Sequence, residues 1–203
     1  TGLVPVLRAE AQKKPLLGIC LGMQLLFDKS YEYGEHKGLG LIGGEVVPLG
    51  PYLADPALKV PHMGWNALHL CRPQEPLFRY ISEGECVYYV HSFYARNCLE
   101  STLATSEYGI AVTGAVKNGL VYGTQFHPEK SGETGLRLLK AFAEMGGGNQ
   151  YAWRLYTSDA ADEPPCVDLG GCRFHVEVKH MTLPTNKEAH IEENEIQQTT
   201  QTP

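Results

Sequence analysis

No stretch of this 203-residue sequence is apolar for long enough to cross a bilayer as a helix, and none has the layout of a secretory signal. Asn-x-Ser/Thr sequons are absent as well. Cysteine is sparse: Cys20, Cys71, Cys86, Cys98, Cys166 and Cys172 are too thinly spread for a disulfide scaffold, and none forms a Cys-x-x-Cys pair. We therefore expect reduced thiols, a cytoplasmic chain and no metal site, even though His175 and His180 follow the last two cysteines. Positive charge is also short, with 17 Lys+Arg against 23 Asp+Glu and a net charge of -6, which argues against nucleic acid as a partner. Residues 151–203 hold 4 of those basic and 9 of those acidic residues, so the acidity belongs to the C-terminal quarter. An initiating methionine is missing too, and Thr1 leads us to expect a chain that starts inside something longer.

What is present is a hydrophobic fraction of 43% and a charged fraction of 20%, enough for a packed core. The informative stretch is Leu16-Leu17-Gly18-Ile19-Cys20-Leu21-Gly22-Met23-Gln24-Leu25-Leu26-Phe27. A short apolar run, a cysteine between glycines and the helical spacing of Leu21, Leu25 and Leu26 read as strand, sharp turn and helix. Gly-x-Cys-x-Gly is the thiol form of the nucleophile elbow, in which small neighbours allow a strained turn that exposes the nucleophile. A cysteine at a helix N-terminus also gains thiolate character. The alternative reading is a buried cysteine at an ordinary strand-to-helix junction, and a partner base must decide between them.

Residues 3–14 read as an amphipathic helix with Leu3, Val6, Leu7 and Ala11 on one face, entering the elbow strand through Pro15. Asp28–Gly40 reads as a loop, with Glu32 placed to contact whatever the cysteine attacks. Strand-like runs follow at 45–49, 86–90 and 110–116. Between them Pro61-His62-Met63-Gly64-Trp65-Asn66 has no amphipathic period and reads as a loop, either around a core tryptophan or presenting Trp65 and Asn66 to a partner. Val121–Phe126 reads as a strand ending at His127-Pro128-Glu129, and a helix is predicted over 132–145 with Leu136, Leu139, Phe142 and Ala143 buried. His127 and Glu129 stand two apart across a stiff proline, so a carboxylate can hold one imidazole nitrogen while the other faces Cys20.

Gly18–Gln24 together with Gly123-Thr124-Gln125-Phe126-His127-Pro128-Glu129 resembles the class I (triad-type) glutamine amidotransferases. Pro61–Asn66, Tyr88-Tyr89-Val90-His91-Ser92-Phe93-Tyr94 and Lys130-Ser131-Gly132 are similar to the glutaminase subunits of imidazole glycerol phosphate synthase within that family. The resemblance runs from about Pro5 to Met145 and implies an α/β fold, a flavodoxin-like mixed sheet flanked by helices. It implies glutamine hydrolysis through a cysteinyl thioester without a cofactor, with Cys20 as nucleophile, His127 as base and then acid, and Glu129 orienting it. Gln24 and Glu32 would bind the polar groups of glutamine, Glu32 its α-ammonium, and Ser92 and Phe93 its α-carboxylate. Trp65, Asn66, Tyr88 and Lys130 would face a cyclase subunit, a (β/α)8 barrel that uses the ammonia to make imidazole glycerol phosphate and AICAR in histidine biosynthesis. Other recipients, serving guanylate, anthranilate or aminodeoxychorismate synthesis, stay open, as does a partner-binding fragment without turnover.

Two departures from the family qualify this expectation. Family members carry the first βα elements and an oxyanion-binding glycine loop ahead of the point where residues 1–148 begin, so the chain is expected to be a poor or inactive glutaminase and marginally stable alone. Residues 149–203 lack amphipathic period and end in a Gln/Thr run, and Tyr156–Glu163 resembles a translated sequencing adapter, so this segment is expected to be disordered or non-native.

Overall fold

The computed structural model describes residues 2–146, together with a short antiparallel backbone ladder of Asp168–Leu169 on Cys172–Arg173. Apart from that ladder, the readings placed on residues 149–203 lie outside the described residues. Helix α1 (Leu3–Glu10) leads to strand β1 (Leu16–Ile19), the five-residue helix α2 (Leu21–Leu25), β2 (Phe27–Ser30), β3 (His36–Lys37) and β4 (Ile42–Pro48). Strands β5 (His62–Ala67), β6 (His69–Leu70), β7 (Cys86–His91), β8 (Phe93–Arg96), β9 (Thr102–Glu107), β10 (Ala111–Asn118) and β11 (Val121–Thr124) follow, and α3 (Gly132–Met145) closes the domain. The architecture is mixed α/β, as expected. One sheet runs β1-β11-β10-β9-β6, a second β3-β2-β4-β8, and β5 pairs with β7 alone. Among the described residues only β1 with β11 and β2 with β4 are parallel. No helix among the described residues is long and apolar enough to cross a membrane.

Period-two alternation assigns the faces of the central strands. Leu17 and Ile19 of β1 and Tyr122 of β11 enter a core shared with Tyr89, Phe126, Leu138 and Phe142 beneath α3. On the opposite face Met23, Leu26, Phe27, Val46, Ala95, Val116 and Val121 form a second core toward the β2–β4–β8 sheet. Gly18 and Gly123 are paired neighbours in the parallel register, both on the side that α2 crosses. A Cβ at Gly18 would lie 2.6 Å from the Gly22 carbonyl oxygen, and one at Gly123 would lie 2.7 Å from Met23 Cγ. Two adjacent glycines thus let α2 settle directly onto the sheet.

Several sequence expectations need correction. In α2 it is Met23 and Gln24, with Leu26 just beyond, that are buried, while Leu21 and Leu25 are exposed, because contact over the glycine pair decides which side of so short a helix faces in. Asp28–Gly40 is not all loop: β2 pairs in parallel with β4, and its polar Lys29 is held by Glu45 at 3.7 Å. Pro61–Asn66 is largely strand β5, paired residue for residue with β7 from His62↔His91 to Ala67↔Cys86. Its polar, glycine-containing sequence hides the strand because the pairing, rather than an apolar face, holds it. Helix α3 has its predicted bounds, but Gly135, Leu138, Ala141 and Phe142 are buried, so the inner face is rotated by about one residue. The cause is Gly135, where a Cβ would come within 1.8 Å of the Pro128 carbonyl oxygen. In α1 no residue is buried, and Leu3 and Val6 are exposed, whereas Ala11 just after the helix packs into the second core.

Candidate active site

Cys20 ends β1 and begins α2 with φ 50° and ψ -110°, a conformation that costs a non-glycine residue about 1–3 kcal/mol. Its surroundings hold it there: the Cys20 amide donates to Thr124 O at 2.7 Å, and Cys20 O accepts the Gln24 amide at 3.1 Å. The elbow expected from Gly-x-Cys-x-Gly is therefore formed by anchoring β1 to the end of β11 on one side and starting α2 on the other. The thiol is half-buried. Its sulfur lies 3.9 Å from Val90 O, to which the thiol can donate, and 3.7 Å from Gln125 Nε2, which donates to it.

His127 follows β11 and is almost wholly buried. Its backbone is tied at both ends, the amide donating to Tyr88 O at 2.9 Å and the carbonyl accepting from Ser131 Oγ at 2.6 Å. Ser131 Oγ in turn accepts the Tyr88 amide at 3.0 Å. Nδ1 of His127 meets Glu129 Oε1 at 2.6 Å, so the spacing of two across Pro128 does bring carboxylate and imidazole together. Burial alone would lower the imidazole pKa, but hydrogen bonding and charge interaction with Cys20 and then Glu129 outweigh it and raise the group to about 9. Nε2 nevertheless lacks a hydrogen bond of ordinary geometry among the described residues. The two facts agree if the thiol stands next to Nε2 in a contact that tightens when substrate arrives, as catalytic hydrogen bonds commonly do. A nucleophilic sulfur, a base able to hold its proton and a carboxylate fixing the base's tautomer are the parts needed for acyl transfer through a thioester.

Of the residues expected to bind substrate, Gln24 and Phe93 join the site directly. Gln24 Nε2 donates to Phe93 O and to Gln125 Oε1, both at 3.1 Å. Ser92, next to Phe93, accepts the Leu49 amide through its carbonyl at 2.8 Å. Glu32 is half-buried after β2, with its amide on Ser30 Oγ at 3.3 Å, and no hydrogen bond among the described residues links it to the Cys20 cluster. The partner-facing candidates cluster on β5, β7 and the turn before α3. Trp65 is 56% exposed, against the core alternative, and meets Tyr88 edge-on at 5.9 Å between ring centroids. Lys130 is exposed in the turn after Glu129, and Asn66 is half-buried.

Sequence reasoning missed Gln125, His62, His91 and Ser131, although all four stand inside the motifs it quoted. His91 is neutral near pH 7: burial lowers it to about 4, opposed by its bond to Phe93 O and assisted by His62 and His127. His91 Nδ1 donates to Phe93 O at 2.9 Å, and its Nε2 lies 2.9 Å from His62 Nδ1. His62 is lowered by burial against the opposing effect of Asn66, whose Oδ1 lies 2.8 Å from His62 Nε2.

The family model for "Glutamine amidotransferase class-I" matches residues 2–145. The imidazole glycerol phosphate synthase subunit HisH of Lacticaseibacillus casei (strain BL23) is 56% identical over 144 residues, covering 70% of this chain and 67% of that protein. HisH of Wolinella succinogenes is 49% identical over 142 residues, covering 70% of this chain and 69% of its own length. The chain thus spans about two thirds of the length of these curated relatives. A solved structure of PurLQS from Thermotoga maritima superposes with a TM-score of 0.52 at 18% identity, covering 70% of this chain and 68% of that one, a likeness of fold. Matched by that family along nearly all of its described length and carrying its cysteine elbow, the chain belongs to the class I glutamine amidotransferases.

Proposed function

We propose that this chain hydrolyses the side-chain amide of glutamine and passes the ammonia to the cyclase subunit of imidazole glycerol phosphate synthase, in the cytoplasm, for histidine biosynthesis. The observation that carries the reading is the convergence of Cys20, His127 and Glu129 from two strand ends that are neighbours in the parallel register, in a chain whose relatives include HisH.

In the proposed reaction Cys20 Sγ attacks the amide carbonyl after giving its proton to His127 Nε2, and the Leu21 amide donates to the developing oxyanion. The imidazolium, stabilised by Glu129, returns the proton to the departing nitrogen, and ammonia leaves behind a glutamyl thioester. Water then attacks with His127 as base, freeing glutamate and the thiol. Gln24 commits its amide hydrogens to Phe93 O and Gln125, so the group it can offer to glutamine is its carbonyl oxygen, suited to the α-ammonium alongside Glu32. The Phe93 carbonyl already accepts two donors, so the segment Ser92–Phe93 would serve the α-carboxylate through amide N–H groups.

The exposed Met63 and Trp65, with Tyr88 and Lys130, offer an apolar patch beside a cation for the cyclase. Trp65 pairs with Tyr88 and Met63 with Val90, whose carbonyl touches the nucleophile, so contact at this surface lies one strand away from the sulfur. Glutamate release measured with and without the cyclase subunit and its ribulosyl phosphate ligand tests the proposal. Release that needs the cyclase and disappears in Cys20→Ala is expected, whereas no release, or release indifferent to that substitution, would overturn it.

A further inference from the structure

Gln125 is fully buried, immediately after β11, and its side-chain amide lies between Gln24 and the nucleophilic sulfur. The hydrogen-bond direction along this row can be read from one fixed acceptor. The Phe93 carbonyl only accepts, so Gln24 must present Nε2 to it, at 3.1 Å. The second hydrogen of the same nitrogen then points at Gln125, which must present Oε1, also at 3.1 Å. That leaves Gln125 Nε2 as the atom facing Cys20 Sγ at 3.7 Å, with an N–H aimed at the sulfur. Flipping either amide would set two donors or two acceptors against each other. The Phe93 carbonyl is itself pinned from the other side by His91 Nδ1 at 2.9 Å.

We propose that Gln125 is a further catalytic residue of this site, a buried N–H donor that stabilises the Cys20 thiolate and is held in its donating orientation by Gln24. The sulfur has a second neighbour, the Val90 carbonyl at 3.9 Å, which favours the protonated thiol because it can only accept. Gln125 and Val90 therefore oppose one another: one holds the charged form, the other the neutral form. When the S–H bond breaks, its proton goes to His127 Nε2, the contact with Val90 O is given up, and the bond from Gln125 strengthens because its acceptor has become an anion. The other titratable groups around the sulfur are His127, with Glu129 behind it, and His91 on β7, which stays neutral. Substrate held by the Gln24 carbonyl oxygen would stiffen the same row, a link that rests on the glutaminase reading.

The pH dependence of Cys20 alkylation by iodoacetamide tests the assignment in the 203-residue chain without requiring glutamine, so failure here and failure of the glutaminase reading can be told apart. Gln125→Met keeps the bulk and removes the donor. It is expected to move the alkylation midpoint up by about one pH unit and to slow the reaction about tenfold below that midpoint. Gln125→Glu keeps an acceptor for Gln24 but places oxygen or charge against the sulfur, and is expected to move the midpoint further in the same direction. A midpoint unchanged from the parent chain in either folded variant would overturn the proposal. If neither variant folds, the unmodified chain still decides. The Gln125 side-chain amide proton resonances are expected to shift through the Cys20 titration and to lose that shift in Cys20→Ser, and resonances that do not follow the thiol would refute the assignment.

Discussion

Glu129 Oε1 and His127 Nδ1 lie 2.6 Å apart across a single proline, in a pair that is nearly all buried. The short turn Pro128–Lys130 makes the carboxylate fold back on the imidazole, and Ser131 closes the turn from below. The tautomer with the proton on Nδ1 is thereby selected, leaving Nε2 for the thiol. Replacing the carboxylate by an amide removes both this selection and the charge that supports the imidazolium. Glu129→Gln is expected to lower kcat for glutamine hydrolysis by about 10²–10⁴-fold with a much smaller change in KM, as steady-state kinetics of the cyclase complex would read.

Ser131 predicts a quieter defect. Its hydroxyl donates to His127 O and accepts the Tyr88 amide, and it is buried. Ser131→Ala leaves the Tyr88 amide without its partner and removes one of two donors to the His127 carbonyl, which keeps the Lys130 amide at 3.0 Å, for a stability loss of about 1–3 kcal/mol by urea denaturation. Because the same hydroxyl sets the height of His127, kcat should fall in the folded fraction while glutamine affinity holds.

The glycine pair under α2 predicts unequal costs. At Gly123 an added methyl meets side-chain atoms only, Met23 at Cγ and Cβ and Val116 at Cγ2, so Gly123→Ala should cost about 1–3 kcal/mol, with part recovered by a smaller residue at position 23. At Gly18 the added methyl meets the backbone of Gly22 and Met23, which cannot turn away, and Gly18→Ala should lie at or beyond the top of that range. Thermal denaturation of the two single variants and of the Gly123→Ala, Met23→Ala pair would show the order.

His91 predicts an acid limb of stability. Its pKa falls from 6.5 unfolded to about 4 folded, chiefly through burial. Above pH 6.5 neither state is protonated there and the contribution is complete. As the pH falls from 6.5 toward 4 the unfolded state takes up a proton that the folded state refuses, so up to about 3 kcal/mol is lost. Denaturation midpoints between pH 7.5 and 4 should fall less steeply in His91→Gln than in the parent chain.

Trp65 predicts a separation of stability from association. Its ring is more than half exposed and meets Tyr88 edge-on, so Trp65→Ala should change stability by less than about 0.5 kcal/mol. If the ring anchors the cyclase, the same substitution should weaken association by about 2 kcal/mol or more, which calorimetry of the two subunits would measure.

The features legible in the sequence are those whose causes are local. Cys20 between glycines announces a turn because a strained φ is tolerated only beside small residues, and His127-Pro128-Glu129 announces a carboxylate on an imidazole because two residues across a proline have few ways to sit. Helix α3 showed its bounds for the same reason, through a regular apolar repeat ended by glycine. Its inner face lies one residue from the predicted one because Gly135, silent in a hydrophobic pattern, sits where an added Cβ would strike the Pro128 carbonyl. Strand β5 was hidden because its partner β7 lies across an intervening stretch that includes β6.

By itself, then, the sequence determined the cysteine elbow, the imidazole–carboxylate pair proposed to serve it and the family to which they belong, since each is specified by neighbours a few residues away. Only the tertiary structure decided which groups touch the sulfur. The bonds from Gln24 to Phe93, from Gln24 to Gln125 and from Gln125 to Cys20 join residues 69, 101 and 105 positions apart. Such contacts arise where two parallel strands end side by side and a helix rests on their glycines, and residue order along the chain carries no trace of that packing.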